Sequence, residues 1–337
     1  MKEAMLYESG EDNTVRCHLC NHRCKIREAK RGICGVRENR QGTLYSLVYG
    51  KIVAEHIDPI EKKPLYNFLP GSRAYSIGTV GCNFHCKHCQ NYEISQYPHA
   101  RGSRIIGTPR TPEAIVQAAE DAGCASIAYT YTEPTIFFEF AYDTGRLAHQ
   151  KGIKNVFVSN GYMSAEALDR IAPYLDAINV DLKAFSETTY KDVCGARLAP
   201  VLETIQQMKE RNVWVEVTTL VIPGLNDAES ELRAIAGFVK RVGREVPWHV
   251  TAFYPTYKMT DRPPTPAATL RRAREIGLAE GLRYVYEGNV RSGTGENTYC
   301  HGCGAMVIAR SGFGSTRARL RNGQCPECGA VIDGVGF

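Results

Sequence analysis

The sequence predicts an α/β protein built on a full or partial (β/α) barrel of the TIM-like kind, with a small Cys-rich module at each end. Three observations carry that expectation. After a strand at 74–78, β-branched apolar segments recur at 125–130, 155–159, 177–181, 213–221 and 249–253, each followed by a helix-like stretch, and such alternation specifies a parallel sheet covered by helices. Eleven of the 13 cysteines fall into three tight clusters, two of them near the ends of the chain. The 337 residues, 43% of them hydrophobic, suffice to bury a barrel-sized core. A flat doubly wound sheet is the competing architecture. In either one, the loops leaving the C-terminal ends of the strands build the site.

Residues 1–70 form the first expected module, with Cys17, Cys20, Cys24 and Cys34 and an alternating stretch at 43–53 that reads as a short hairpin. Pro64, Pro70 and Gly71 punctuate the chain before the body at 71–295. Helix starts in that body follow capping chemistry: Thr111-Pro112-Glu113 offers a hydroxyl and a first-turn Pro, and Ser164-Ala165-Glu166 and Asn226-Asp227 read the same way. From 296 to 337 Gly becomes frequent, and Cys300, Cys303, Cys325 and Cys328 define a third module resembling a rubredoxin or zinc ribbon.

Composition excludes several classes. Disorder, collagen and coiled coil do not fit this hydrophobic share. The net charge, 41 − 36 = +5, is spread without a run of five like charges, so nucleic acid is permitted as a partner but not demanded. The first residues carry Lys2, Glu3, Glu8, Glu11 and Asp12, which is no secretory signal, and no apolar run reaches about 18 residues, so no membrane span is expected. Clustered thiols then point to a reducing, cytoplasmic setting and to metal rather than disulfides.

The strongest chemical signal is Gly81-Cys82-Asn83-Phe84-His85-Cys86-Lys87-His88-Cys89-Gln90-Asn91, directly after the first strand of the body. Three thiolates on one loop are one short of the four that saturate a [4Fe–4S] cluster, so one iron stays open to another ligand. The competing reading is a structural zinc loop that borrows a fourth ligand from His85, His88 or elsewhere. The Cys82-x3-Cys86-x2-Cys89 loop after the first strand resembles the signature of the radical SAM superfamily. The resemblance implies a [4Fe–4S] cluster whose open iron binds S-adenosylmethionine, reductive cleavage to a 5′-deoxyadenosyl radical, and hydrogen abstraction from a substrate that no motif identifies.

Other strand ends fit that resemblance. Tyr131-Thr132-Glu133-Pro134 stands where superfamily members carry Gly-Gly-Glu, so Glu133, with Thr132 beside it, is expected at the amino group of the cofactor. Ser159 and Asn160 end the third strand and offer neutral hydrogen bonds to ribose hydroxyls; Lys183 supplies a point charge for a carboxylate, with Asp181 beside it. Read alone, these are a first-turn acid, an Asn-Gly turn and a surface ion pair. The strand ends also resemble glycyl-radical-enzyme activases of the pyruvate formate-lyase type, with two departures: Val158 stands where activases carry an acid, and Tyr257 where their sixth-strand loop carries a His.

Two Cys-x2-Cys-Gly knuckles, Cys300/Cys303 and Cys325/Cys328, are a tetrahedral thiolate pattern that suits zinc or a single iron. Cys17, Cys20, Cys24 and Cys34 suit zinc or an auxiliary cluster, and Cys124 and Cys194 read as core thiols. Taken in order, the Cys-rich start, the segment Asp58-Pro59-Ile60-Glu61-Lys62-Lys63-Pro64-Leu65, the Cys82 loop, Tyr286-Glu287-Gly288-Asn289 and Glu296-Asn297-Thr298-Tyr299-Cys300 resemble the radical SAM enzyme of the AmmeMemoRadiSam system over nearly the full length. That resemblance implies its two companion proteins as partners and a reduced flavodoxin or ferredoxin as electron donor. From a different class, the chain also admits a zinc-ribbon nucleic-acid-binding protein.

Overall fold

The computed structural model describes residues 1–290 and 293–337. Its body is one eight-stranded sheet. Along the chain, the strands are β1 (Ala54–Pro59), β2 (Arg73–Gly78), β3 (Ser126–Tyr129), β4 (Lys154–Ser159), β5 (Ala177–Asp181), β6 (Trp214–Val221), β7 (Trp248–Ala252) and β8 (Val285–Gly288). Their spatial order is the same as their chain order, from β1 at one edge to β8 at the other. Neighbours from β2 to β8 are parallel, and β1 lies antiparallel on β2. The sheet is therefore a partial barrel: among the described residues its two edge strands, β1 and β8, do not pair.

Parallel neighbours need crossovers, and six helices supply or follow them: α1 (Pro112–Asp121), α2 (Phe138–Gln150), α3 (Ala165–Ile171), α4 (Ala199–Glu210), α5 (Glu229–Val242) and α6 (Ala267–Ala279). Thr111 and Ser164 cap α1 and α3 as the sequence predicts, accepting from the amides of Ala114 and Ala167. Asn226 and Asp227 do not cap α5. Their carboxamide and carboxylate oxygens accept from Ile222 N at 2.6 Å and Gly224 N at 2.8 Å, so they close the loop after β6 instead.

The structure departs from the sequence expectation in three places, the hairpin, β1 and β8. The hairpin is Arg37–Arg40 with Thr43–Ser46, ahead of the predicted 43–53, and residues 51–52 pair instead with Thr108–Pro109. β1 is polar and ends in Pro, which suits an edge position but hides it from periodicity; β8 has only four residues.

The segment between β1 and β2 plugs the barrel. Ile60, Leu65 and Phe68 pack on Ala74, Ala128, Val156 and Ala177, inward residues near the bottom of four adjacent strands. Its backbone amides need buried acceptors, and Glu216 of β6 provides one. This carboxylate is fully buried and accepts from Tyr66 N at 3.0 Å, Asn67 N at 2.8 Å, Trp214 Nε1 at 3.0 Å and the His249 ring at 2.6 Å. Asn179 of β5 donates to Pro64 O at 2.7 Å. Higher up, Lys63 Nζ lies 2.6 Å from Asp58 Oδ2, which also accepts from the Tyr131 hydroxyl at 2.6 Å. Burial alone would raise the Asp58 carboxyl, but hydrogen bonds from Lys62, Lys63 and Tyr131 hold it well below the usual carboxylate range. Burial pushes Lys63 down to about 8, against the pull of Asp58.

The remaining strands are short. Two three-stranded sheets near the N-terminus carry the first cysteines, and Thr298–Tyr299, Met306–Ser311 and Gly314–Ala318 form a meander near the C-terminus. Among the described residues no helix is long and apolar enough to cross a membrane.

Glu216→Ala leaves four buried donors without an acceptor and is expected to cost about 3–5 kcal/mol, read as a lower denaturant midpoint at unchanged slope. An unchanged midpoint removes Glu216 as the anchor of the plug. Because Lys63 titrates lower in the folded protein than in the unfolded chain, the unfolded chain holds the extra proton between about pH 8 and its ordinary value near 10.4. Stability therefore gains a rising component with pH across that window. Comparing denaturation of wild type and Lys63→Met from pH 7 to 11 is expected to show that component only in the wild type.

Candidate active site at the strand ends

Four adjacent strands end on one face of the sheet, and each delivers part of one constellation. Cys82, Cys86 and Cys89 follow β2; Thr132 and Glu133 follow β3; Ser159 and Asn160 end β4; Asp181 and Lys183 end β5. The structure brings all of these sequence-predicted residues together.

Glu133 is the hub of the group. It is 2% exposed, and its Oε1 accepts from Thr135 N at 3.0 Å and Ser159 Oγ at 2.8 Å, while Oε2 accepts from Asn160 N at 2.8 Å. Burial raises its carboxyl, and these donors pull the other way. Oε1 is saturated, whereas Oε2 takes this single donor and keeps acceptor capacity toward the site. Thr132 Oγ1 donates to Thr79 O at 2.9 Å, joining the β3 end to the β2 end. The Asn160 amide donates to Asn83 Oδ1 at 2.7 Å, joining β4 to the cysteine loop.

The loop is gripped from the far side by a π-helical turn at Tyr190–Cys194. His85 N donates to Cys194 O at 2.9 Å and Lys87 N to Val193 O at 3.0 Å. Cys194 is buried, as a core thiol should be, but its sulfur lies within hydrogen-bonding reach of Cys86. The sequence holds no signal for that contact, since over a hundred residues separate the two. Cys124, by contrast, is a plain core thiol at the start of β3.

Lys183 Nζ lies 2.8 Å from Asp181 Oδ2, and its charge reaches Cys86. Burial disfavours the ammonium, yet Asp181 and the nearby thiols hold it charged. Two buried polar atoms of the loop have no partner, Asn83 Nδ2 and His88 Nδ1. Burial and Lys183 lower His88 to about 3, so its ring is neutral. Three thiols on one loop, a buried cation and unpartnered polar atoms are the donor set for a charged inorganic cluster with an additional organic ligand; the residues present fit that group.

Tyr257, where a His stands in activases, has φ of +52° and stacks on Tyr92 with ring centroids 4.6 Å apart, and Lys258 N donates to Lys87 O at 3.0 Å. The β7 loop thus covers the cysteine loop. Val158 is half-buried, two residues before Asn160 on β4.

The C-terminal cysteines are drawn together differently. Their sulfurs all lie within 4.8 Å of one another, with Cys300 to Cys328 at 3.5 Å and Cys303 to Cys325 at 3.7 Å. A tetrahedral ion with sulfur bonds of about 2.3 Å holds its thiolates about 3.8 Å apart, so this quartet is shaped for one ion.

Residues 76–235 match the family model of the radical SAM superfamily. An uncharacterized protein of Methanocaldococcus jannaschii is 47% identical over 336 residues, 99% of each chain. The pyruvate formate-lyase 1-activating enzyme of Escherichia coli is 20% identical over 221 residues, 61% of this chain and 89% of that one. In fold, the chain is similar to SuiB of Streptococcus suis solved with S-adenosylmethionine, with a TM-score of 0.51 and 14% identity over 68% of this chain and 53% of that one. With the strand-end constellation and these likenesses together, the chain belongs to the radical SAM superfamily, enzymes that cleave S-adenosylmethionine at an iron–sulfur cluster.

Proposed function

We propose that Cys82, Cys86 and Cys89 hold a [4Fe–4S] cluster and that Glu133, Thr132, Ser159, Asn160, Asp181 and Lys183 form the S-adenosylmethionine site beside it. The observation that carries this reading is the convergence of all nine residues at the ends of four adjacent parallel strands. When bound, cluster and cofactor supply reductive cleavage of the sulfonium and a primary carbon radical that takes hydrogen from substrate.

The chain's own residues do the positioning. Glu133 fixes Ser159 and Asn160 through its hydrogen bonds and keeps Oε2 for the cofactor's ammonium. Lys183, held charged by Asp181, neutralises the cofactor carboxylate. The plug at 60–69 and the stacked pair Tyr92 and Tyr257 exclude water from the lumen and the loop, as radical chemistry demands. The substrate is unidentified.

The arrangement of motifs along the whole chain supports membership in the AmmeMemoRadiSam system, with its two companion proteins as partners, a reduced flavodoxin or ferredoxin as donor, and a cytoplasmic setting. A glycyl-radical activase is the second reading, supported by the likeness to the pyruvate formate-lyase 1-activating enzyme; Val158 and Tyr257 argue for a different substrate. In the same reading Cys300, Cys303, Cys325 and Cys328 hold a single structural zinc or iron, and the domains are 1–70, 71–295 and 296–337, with Ala54–Pro59 and the plug of the first segment built into the barrel of the second.

Anaerobic reconstitution with S-adenosylmethionine and dithionite is expected to yield 5′-deoxyadenosine in wild type and none in Cys86→Ala; product surviving that change refutes the cluster assignment. Lys183→Met is expected to weaken S-adenosylmethionine binding by about ten- to hundredfold, the worth of a hydrogen bond to a charged group. An unchanged dissociation constant in equilibrium dialysis would remove Lys183 from the site.

A further inference from the structure

We infer that the cleft between α6 and the C-terminal tail is a binding site for a small phosphorylated molecule, held by Arg244 and Arg274 with Lys240 beside them. It lies at the starts of β7 and β8, at the opposite end of the sheet from the cysteine loop, so its ligand is distinct from S-adenosylmethionine. Two independent observations carry it.

The first is what the arginines leave unused. The cleft encloses about 320 Å³ between Arg244 before β7, Arg274 of α6, the loop 281–284 before β8, and Asn297, Tyr299 and His301 of the tail. Arg244 Nε donates to Gly281 O at 3.1 Å, and Arg274 Nε donates to Val285 O at 3.1 Å. The Arg274 guanidinium also lies 5.7 Å from the Tyr299 ring centroid. Both guanidinium groups are thereby fixed to main chain through Nε, and among the described residues neither Nη pair has an acceptor. A fixed guanidinium with a free Nη pair is one half of a bidentate contact to a carboxylate or a phosphate. Arg283, the third arginine of the wall, spends its Nη1 on Asp333 at 2.8 and 2.9 Å and shows what the other two lack.

The second observation is the charge balance. No Asp or Glu lines the cleft. Gly281 has φ of +100°, and a Cβ there would stand 3.7 Å from Lys240 Nζ and 3.9 Å from Arg244 Nη2, so two cations converge over one bare stretch of backbone. The carboxylates flanking this loop are already taken: Asp333 by Arg283, Glu280 by Arg233 at 2.6 Å, and Glu245 by Lys209 at 2.7 Å. Lys240, Arg244 and Arg274 remain, three positive charges that repel one another until an anion enters.

That surplus sets the ligand class. One carboxylate answers one guanidinium and leaves two cations over, whereas a phosphoryl group brings nearly two negative charges and three acceptor oxygens. Size sets the rest. A cleft of this volume encloses one compact molecule, and the cations sit in a single pocket rather than along the stripe that a nucleic-acid backbone follows. Because part of the wall is barrel and part is tail, the bound anion clamps the tail beside β8. The assignment does not rest on the reading of the strand ends.

The test uses the full chain with pyrophosphate as the probe. Equilibrium dialysis at fixed ionic strength is expected to show saturable binding that Arg244→Gln and Arg274→Gln each weaken about ten- to hundredfold. The melting temperature of wild type is expected to climb with pyrophosphate concentration, and the climb to vanish when the two changes are combined. Cys86→Ala is expected to bind pyrophosphate as wild type does, so failure of the cluster assignment and failure of this one are read separately. Absence of saturable binding, or unchanged affinity in both arginine variants, overturns the proposal. So does an equal loss in Arg101→Gln, an exposed arginine outside the cleft, which marks general charge attraction. A single-stranded oligonucleotide that displaces pyrophosphate at matched phosphate concentration puts nucleic acid in the cleft and also overturns it.

Discussion

The site depends on one geometric constraint: four adjacent parallel strands end on the same face. Parallel pairing in register from β2 to β5 makes that inevitable. A cluster loop, a carboxylate, a hydroxyl–carboxamide pair and an ion pair then converge without any of them being sequence neighbours. Thr132 bonded to Thr79, Asn160 to Asn83 and Ser159 to Glu133 tie each strand end to the next. These cross-links matter because loops alone would not hold the donors to the tolerance that radical chemistry requires.

Convergence gathers charge in a dry interior, and desolvation sets the cost. Each buried charge is held by a partner: Glu133 by its ring of donors, Lys183 by Asp181, Asp58 by Lys63 and Tyr131, Glu216 by two plug amides, Trp214 and His249. An isolated ion at any of these places would cost several kcal/mol. The plug is therefore more than filler. It brings Lys63 and two amides to carboxylates that the strands need for other purposes, and Lys63 lies 4.8 Å from the ring centroid of Tyr131, the residue that begins the Thr132-Glu133 turn.

Much of this was legible in the letters because the informative residues are local. Cys82, Cys86 and Cys89 are a spacing, Thr111 and Ser164 are caps that act three residues away, and the apolar segments mark six of the seven parallel strands. What stayed hidden acts across the fold. Cys194 meets Cys86 only because a turn after β5 folds over the loop. Ala54–Pro59 is mostly polar, shows no regular alternation and ends in Pro, so its pairing with β2 follows from tertiary packing rather than propensity. Asn226 and Asp227 carry the composition of a helix cap, but the loop amides of Ile222 and Gly224 compete for the same oxygens and win. The motif Asp58 to Leu65 was visible as a family mark; its physical reason, a plug whose backbone must be satisfied inside a barrel, was not.

A barrel left open has an edge to cover, and the tail does so beside β8. Tyr286 of that strand donates to Asn67 Oδ1 and meets Thr298 Oγ1 at 2.9 Å, Arg310 reaches both Thr298 and Tyr66 O at 2.7 Å, and Asp333 binds Arg283 and Tyr284. Phe68 forms a parallel bridge with Val335, ten residues past Cys325. The tail's own apolar cluster is small, with Cys300 and Cys325 among its members, and the four sulfurs of the two knuckles gather within 4.8 Å of one another where the segment lacks a larger core. The tail thereby reaches into the barrel: Asp333 O accepts from Asn67 Nδ2 at 2.7 Å, and Asn67 donates its backbone N–H to the carboxylate of Glu216 at 2.8 Å.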